Sequence, residues 1–491
     1  MYSLKYLCFL MFLLLSYSGI TQTLNLEQCK QMALEKNTSI QIKHIHVMQS
    51  EQIQKTAFTQ FLPSLGFTGT YIRMNKKIQL FENDLAIPVL PADFYDPSTG
   101  NINSSLLNNP SMMPLAFVMN PETGYPVADV NGNPIFQQYA YLPGDQLSFG
   151  QKNNYLLNFG LIQPVFTGGK IRNLYKLSKL TVEMAKSTLS QEQEKQMMEI
   201  EALYWELITL KEQNQLAKKY KQLLETLIQD IKNYQSEGIV TSNELLKAQI
   251  KQNEAELNIL KTENGMLMIR KLLCQKIGIP YEQYFEPADT VIPFGLAIFS
   301  HSQLLETATS NRQELQMLEQ TVQMTSLGIK IMQSRFLPDI GLTANYSFMN
   351  PNPFAGFSNT FGSDYNIGIV MNVPIFHWGE RFQTLNVSKG EQRIALLMLE
   401  EAKQLISLEI EQSINQLNES AMEVTMAEMS LELAEQNLRK LTDTYKEGMC
   451  KASDLLEGQV LWQESKVGFI NAKANYRKQL MKVEKAGAIY K

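Results

Sequence analysis

Asp454 and Glu457 stand three residues apart in the stretch "EGMCKASDLLEGQ", a spacing that sets two carboxylates on one face of a helix. Two chemistries fit such a pair. Exposed together, the carboxylates attract cations, repel anions and raise each other's affinity for protons. At a helix start they satisfy free backbone N–H groups instead, as in a capping box. Thr241-x-x-Glu244 in "EGIVTSNELLKAQ" offers the same pattern, and the two roles can coexist. The remaining reactive inventory is thin. His44 and His46 lie two apart on a predicted helix and point away from each other, so no metal site is expected there. Gly168-Gly169 precedes a predicted helix as a phosphate cradle would, but it lacks the P-loop lysine pattern. Cys29, Cys274 and Cys450 are widely spaced and odd in number, which gives neither a metal spacing nor a disulfide framework. No nucleophile–base constellation or nucleotide motif occurs, so neither an enzyme nor a cofactor is expected. A net charge of −5 over 491 residues argues against nucleic acid as a partner.

The elements that must position the carboxylates are written twice. At an offset of 275, Ala33 falls on Ala308, Gln41 on Gln316, and Phe61-Leu62-Pro63 on Phe336-Leu337-Pro338. At an offset of 210, Pro164 and Phe166 fall on Pro374 and Phe376, and Gly238, Leu245 and Gln249 on Gly448, Leu455 and Gln459. The offsets differ by 65 residues, the size of an extra segment in the first half only. Nine of the 18 prolines lie between Lys76 and Gly150, so that block is the expected insertion. The N-terminus has a lysine, an apolar run from Tyr6 to Leu15 and then small and polar residues, the pattern of a secretory signal peptide. Cys8 and Cys29 have no lipobox context, so no lipid anchor is expected. The predicted organisation is a signal peptide over residues 1–22 and a first repeat over 23–275 containing a loop at about 76–150. A linker over 276–300 and a second repeat over 301–491 complete it.

Each half reads helix, strand, loop, strand, helix, turn, helix. In "DIGLTANYSF", Ile340, Leu342, Ala344, Tyr346 and Phe348 alternate with Gly341, Thr343, Asn345 and Ser347. In "YNIGIVMNVP", Tyr365, Ile367, Ile369 and Met371 alternate with Asn366, Gly368, Val370 and Asn372. The first half repeats this with Leu65, Phe67 and Tyr71, then with Leu157, Phe159 and Leu161. Period-two alternation of apolar with Gly, Asn, Thr and Ser fits a membrane strand beside a wet lumen, and equally an antiparallel sheet over a soluble core. The helices favour the first. Gly169 to Gln235 and Glu380 to Lys446 contain no proline. Each stretch would span about 100 Å. Ile200, Leu203, Leu207, Leu210, Asn214, Ala217, Lys221, Leu224, Ile228 and Ile231 keep a coiled-coil spacing. So do Ile410, Ser413, Leu417, Ser420, Val424, Ala427, Leu431, Ala434, Leu438 and Leu441. Shorter helices are predicted over 26–61, 242–276, 302–336 and 453–485. Four strands cannot close a membrane barrel, and open edges in lipid are costly, so the chain must share its sheet with sister copies.

The order of elements, the duplication, the opening "LNLEQCKQMALEKN", the joints "QPVFTGGK" and "VPIFHWGE" and the turns at Gly238 and Gly448 resemble the TolC-like outer-membrane efflux proteins. The resemblance covers essentially the whole mature chain. It implies an α+β membrane protein: a homotrimer whose twelve-stranded β-barrel, four strands per chain, continues into a long α-helical coiled-coil barrel through the periplasm. The function implied is a passive conduit of a tripartite efflux or type I secretion system, set in outer-membrane lipid. A periplasmic adaptor protein and an inner-membrane transporter would open it. A periplasmic coiled-coil adaptor or scaffold is the alternative. By the same resemblance Tyr445, Asp454 and Glu457 match entrance positions. Gly238, Ile239, Val240 and Thr241, with Gly448, Met449 and Cys450, form the adaptor-docking tips. The family often has an arginine where this chain has Cys450, so Lys451 is the substitute cation and Glu244 its carboxylate partner by analogy. Pro164, Gly168, Gly169, Pro374 and Gly379 are read as strand-to-helix hinges. Phe166, Phe376 and Trp378 are read as interface anchors.

Overall fold

A computed structural model describes residues 22–79, 83–144, 148–149, 151–237, 241–281 and 285–490. The predicted signal peptide lies outside the described residues except for Gln22, and the tip residues Gly238, Ile239 and Val240 lie outside them as well. In chain order the main elements begin with β1 (Gln22–Leu24), α1 (Leu26–Lys36), α2 (Thr38–Thr59), β2 (Ser64–Arg73), β3 (Asn153–Phe166), α3 (Lys170–Ser236) and α4 (Ser242–Ile277). They continue with β4 (Phe285–Pro287), α5 (His301–Asn311), α6 (Gln313–Ser334), β5 (Asp339–Asn350), β6 (Gly362–Asn372), α7 (Glu380–Lys446) and α8 (Ala452–Ala486). They form two units: one of Gln60–Thr167 and Pro338–Val373, the other of the remaining chain.

The first unit is built on a four-stranded antiparallel sheet in the order β6-β5-β3-β2. Its register puts each half's apolar set on one face. Phe67 pairs with Phe159 and Phe159 with Tyr346, while Tyr346 pairs with Tyr365. Rings stack along this face, Phe67 against Phe159 at 4.8 Å and Tyr71 against Tyr155 at 5.0 Å. On the other face, Ser347 Oγ donates to Asn158 Oδ1 at 2.8 Å and Asn345 Nδ2 to Asn366 Oδ1 at 3.0 Å. Gly160 keeps that polar row close-set, since a Cβ there would lie 3.0 Å from Asn345 Oδ1. The apolar face is uncovered in the single chain: Leu65, Ile367 and Ile369 are each more than 70% exposed. The insertion is not featureless. Leu90, Phe94, Ala116 and Phe117 form a small core, and Leu85–Val89 pairs with Gln138–Leu142.

The second unit is helical. α3 and α7 are 67 residues each, and their bounds differ by the same 210 that relates the two halves. The predicted seams are where these helices bury themselves. Ile200, Leu207, Asn214, Ala217, Leu224, Ile228 and Ile231 of α3 are buried, as are Ile410, Ser413, Leu417, Ser420, Val424, Leu431 and Ala434 of α7, while Leu203, Leu210, Lys221, Ala427, Leu438 and Leu441 are half-buried at the seam margins. The buried Asn214 amide is satisfied across the seam by Thr262 Oγ1 at 2.8 Å, which fixes the register of α3 against α4. Gly458 allows α8 to approach α7, because a Cβ there would meet Leu441 at 2.5 Å. Toward the tips the helices pack side by side in the order α4-α3-α8-α7, and toward the strand joints in the order α2-α3-α6-α7. The predicted linker contributes β4, which pairs in parallel with β1.

Two predicted helices are each two helices. The continuous span from Leu26 breaks at Asn37, and its mate breaks at Arg312. These positions are related by the offset of 275. Neither break carries Pro or Gly. Asn37 is buried, with ψ 125°; its Oδ1 accepts from Ser39 N at 2.9 Å and its amide donates to Lys276 O at 2.9 Å. Arg312 is buried, with ψ 122°, and pairs with Glu409 at 2.7 Å. A polar side chain drawn inward for its partners turns the backbone in both halves.

Candidate functional site

The second tip turn is a Schellman ending, a form that needs a left-handed residue after the last helical one. Gly448 supplies it at φ +73°. Gly448 N donates to Tyr445 O at 3.0 Å, and Met449 N to Thr444 O at 2.9 Å. Met449 is thereby left 74% exposed at the apex of the turn. Cys450 is half-buried, with its Sγ 3.5 Å from Thr444 Oγ1 and 3.6 Å from Leu441 O. Lys451 is the N-cap of α8, and its backbone N donates to Asp454 Oδ2 at 3.2 Å.

That geometry corrects the capping alternative. Asp454 is the third residue of α8 and returns a bond to the cap; it is not itself the cap, and Glu457 lies a turn farther in. On the other tip Thr241 is the N-cap of α4 and makes no side-chain capping bond, while Glu244 is half-buried in the first turn. The shared face is as expected: Asp454 and Glu457 are exposed, while Leu455, Leu456 and Gln459 between and beyond them are buried. The offset of 210 brings a further pair into view. Glu244 is the counterpart of Asp454, and Lys247 is the counterpart of Glu457. One level of the tip is therefore acidic in both halves, and the next is mixed. The repeat offset of 210 carries that signal, whereas the three-residue spacing links Asp454 only to Glu457.

Tyr445 does not stand beside these carboxylates in the open. It is 8% exposed, packed with Leu227, Ile231, Ala452 and Leu455, with its ring edge-on to Tyr234 at 6.4 Å. Burial, and after it the negative charge of Asp230, pushes its phenol up to about 12. Glu244 and Lys451 form no ion pair among the described residues.

At the joints the chain turns left-handed in both halves. Gly168 and Gly169 have φ +60° and +82°, and their counterparts Trp378 and Gly379 have φ +46° and +79°. Gly168 is required sterically as well, because a Cβ would lie 2.8 Å from Leu337 Cβ and 3.0 Å from Ser334 O. Pro164 sits at a register shift of β3. Pro374 O accepts from Arg381 Nη2 at 2.8 Å, which ties the second joint to the first turn of α7. Trp378 is 91% exposed and packs edge-on against Phe376 at 5.0 Å.

A duplicated chain with a one-sided apolar sheet and two long helical hairpins defines the class of outer-membrane channel subunits. Residues 136–278 and 304–486 match the outer membrane efflux protein family, and the chain belongs to that family. No curated protein sequence matches it. Among solved structures, the CmeC outer membrane channel of Campylobacter jejuni aligns at a TM-score of 0.68 and 18% identity, over 95% of this chain and 86% of that one. VceC of Vibrio cholerae aligns at 0.68 and 13% identity, over 94% and 95%. The open-state MtrE channel of Neisseria gonorrhoeae aligns at 0.67 and 15%, over 94% and 88%.

Proposed function

We propose that three copies of this chain close a twelve-stranded barrel in the outer membrane and a helical tube in the periplasm, forming a passive efflux conduit. One observation carries this reading. The sheet has an uncovered apolar face, and the outer edges of β2 and β6 have no partner strand among the described residues. In lipid each unpaired backbone group costs several kcal/mol, a penalty removed when β6 of one copy pairs with β2 of the next. The helices repeat the pattern. Leu246, Ile250, Leu257 and Leu260 on α4, and Met422, Met426, Met429 and Leu433 on α7, are exposed apolar stripes on the two end helices of the row. The chain exposes 31585 Å², against roughly 18,000 Å² for a compact monomer of this mass. A coiled-coil scaffold has no use for an apolar membrane face, and the family match gives that alternative no support.

In the trimer the tips around Gly448 and Thr241 meet the periplasmic adaptor, and the adaptor and an inner-membrane transporter open the channel and choose the cargo. The apolar face meets outer-membrane lipid, with Trp378 and Phe376 as interface anchors. Asp454 and Glu244 gather into an acidic level at the entrance that favours cations. Planar-bilayer recordings test this. Wild-type trimers should conduct with a preference for cations, and the double variant E244Q/D454N should lose most of that preference. Unchanged ion selectivity would remove the entrance filter; absence of any channel would remove the conduit.

A further inference from the structure

The ends of α3 and α6 next to the strands carry the opposite sign to the chain as a whole, whose net charge is −5. Over residues 170–186, Lys170, Arg172, Lys176, Lys179 and Lys186 stand against a single acid, Glu183. Over residues 320–335, Lys330 and Arg335 stand against none. Three of these cations converge: Lys176 and Lys179 of α3 and Lys330 of α6 line one groove of about 540 Å³. All three are exposed, and none has an ion-pair partner among the described residues. Glu183, the one carboxylate in the lining, lies a turn farther along α3 than Lys179, so the groove keeps a positive surplus. Leu180, Val322 and Leu327 give it an apolar floor that suits the methylene stems of the lysines and leaves the ammonium groups to meet a ligand.

The lysines meet at one level because of the directions of their helices. α3 begins at Lys170, just past β3, and α6 ends at Ser334, just before β5. Lys176 and Lys179 stand about 9 and 14 Å from the start of α3, and Lys330 about 6 Å from the end of α6. Helical side chains lean toward their own N-terminus, so Lys176 and Lys179 lean toward the joint and Lys330 away from it. Lys179 shows the lean directly, with its Nζ 4.8 Å from the ring centre of Tyr175, one turn nearer the joint. The headgroup layer of one leaflet is about 5–8 Å deep. With the joints at the membrane edge, the three ammonium groups come within reach of that layer, and Lys170, Arg172 and Arg335 continue the positive charge up to it. Clustered lysines at that depth attract anionic lipid.

We propose that this groove seats the phosphate headgroup of an anionic phospholipid from the periplasmic leaflet. The proposal rests on reading the strand-to-helix joints as the edge of the membrane. The duplication sets the number of sites. Lys179 and Lys330 have counterparts in Lys389 and Lys55, but Asn386 stands in the place of Lys176, and α2 and α7 are at opposite ends of the row. Each chain therefore holds one complete set of three lysines.

The test equilibrates full-length trimers with detergent micelles containing equal phosphatidylglycerol and phosphatidylcholine. Lipid retained through gel filtration is counted by mass spectrometry. Wild type should keep one phosphatidylglycerol per chain, enriched about tenfold or more over phosphatidylcholine. K176Q/K179Q/K330Q should lose the enrichment, and K176R/K179R/K330R should retain it. K219Q/K232Q/K261Q, which removes three exposed lysines nearer the tips, should behave as wild type. Inorganic phosphate at constant ionic strength should not displace the lipid; displacement would reveal a site for the free anion and overturn the lipid assignment. No enrichment in wild type, or equal losses in the two glutamine variants, also overturns the proposal. Bilayer recordings on the same preparations separate the two readings. Conducting wild-type trimers without enrichment refute the groove alone, whereas absence of conduction removes the membrane reading and the proposal with it.

Discussion

Glu201 is 1% exposed and holds together four parts of the chain. Lys30 of α1 pairs with it at 2.8 Å, Arg477 of α8 pairs with its other oxygen, and Tyr490 Oη from the C-terminal segment donates to it at 2.7 Å. Trp205 Nε1 adds a bond at 3.3 Å from the same helix. Burial alone would favour the neutral acid. The bonds from Lys30 and Tyr490 and the charges of Arg477 and Lys30 outweigh it and hold the carboxyl below its usual range. A carboxylate depressed in the folded state stabilises the fold above its unfolded pKa of about 4.3, and that contribution fades as pH falls through the folded value. Glu201→Gln removes the buried carboxylate that Lys30 and Arg477 share and should cost about 3 kcal/mol at pH 7. Thermal unfolding of the wild type should lose stability below about pH 4, and the variant should lose less over that range. Equal acid slopes in the two proteins would show that the carboxylate is not the anchor. Asp454 and Glu457 could be placed from sequence because their spacing alone determines a shared face. Tyr445 could not, because its burial depends on Leu227 and Ile231, more than two hundred residues earlier.

At the scale of elements, the joints separate two kinds of glycine. Gly168 faces Leu337 and Ser334, whereas Gly379 has nothing within 4 Å of its missing Cβ. Both have positive φ, so alanine strains each by about 1 kcal/mol. Gly168→Ala adds a backbone collision and should lower trimer yield and melting temperature well beyond Gly379→Ala. Matching losses at the two sites would show that conformation, not crowding, governs the joint. The strands and the two long helices were legible because a period of two and a long absence of proline are local properties. The sheet order, pairing β3 of one half with β5 of the other, was not local. Nor were the breaks at Asn37 and Arg312, which follow from bonds to Lys276 and Glu409 on other helices. The insertion's own small core was missed because Phe94 and Phe117 lie among prolines and asparagines that read as loop.

For the whole molecule, the exposed stripes place the assembly under test. Leu257→Asp on α4 and Met426→Asp on α7 each put a charge where the proposed neighbour would cover an apolar face, and neither residue supports the fold of its own chain. Each should lower the temperature at which the trimer band dissociates in a detergent gel, by several degrees or more, without changing the helical content of the protomer. A trimer indifferent to both substitutions would mean that the row of helices closes along different surfaces.

The matched length of α3 and α7 has a consequence for how such a chain can change. The chain carries two long helices of equal length, and in the proposed trimer a flat rim would depend on all six ending level. A heptad gained in one helix alone would keep every local contact of the seam and still leave the rim uneven by about 10 Å. Lengthening or shortening of the tube must therefore come in paired steps at sites 210 residues apart.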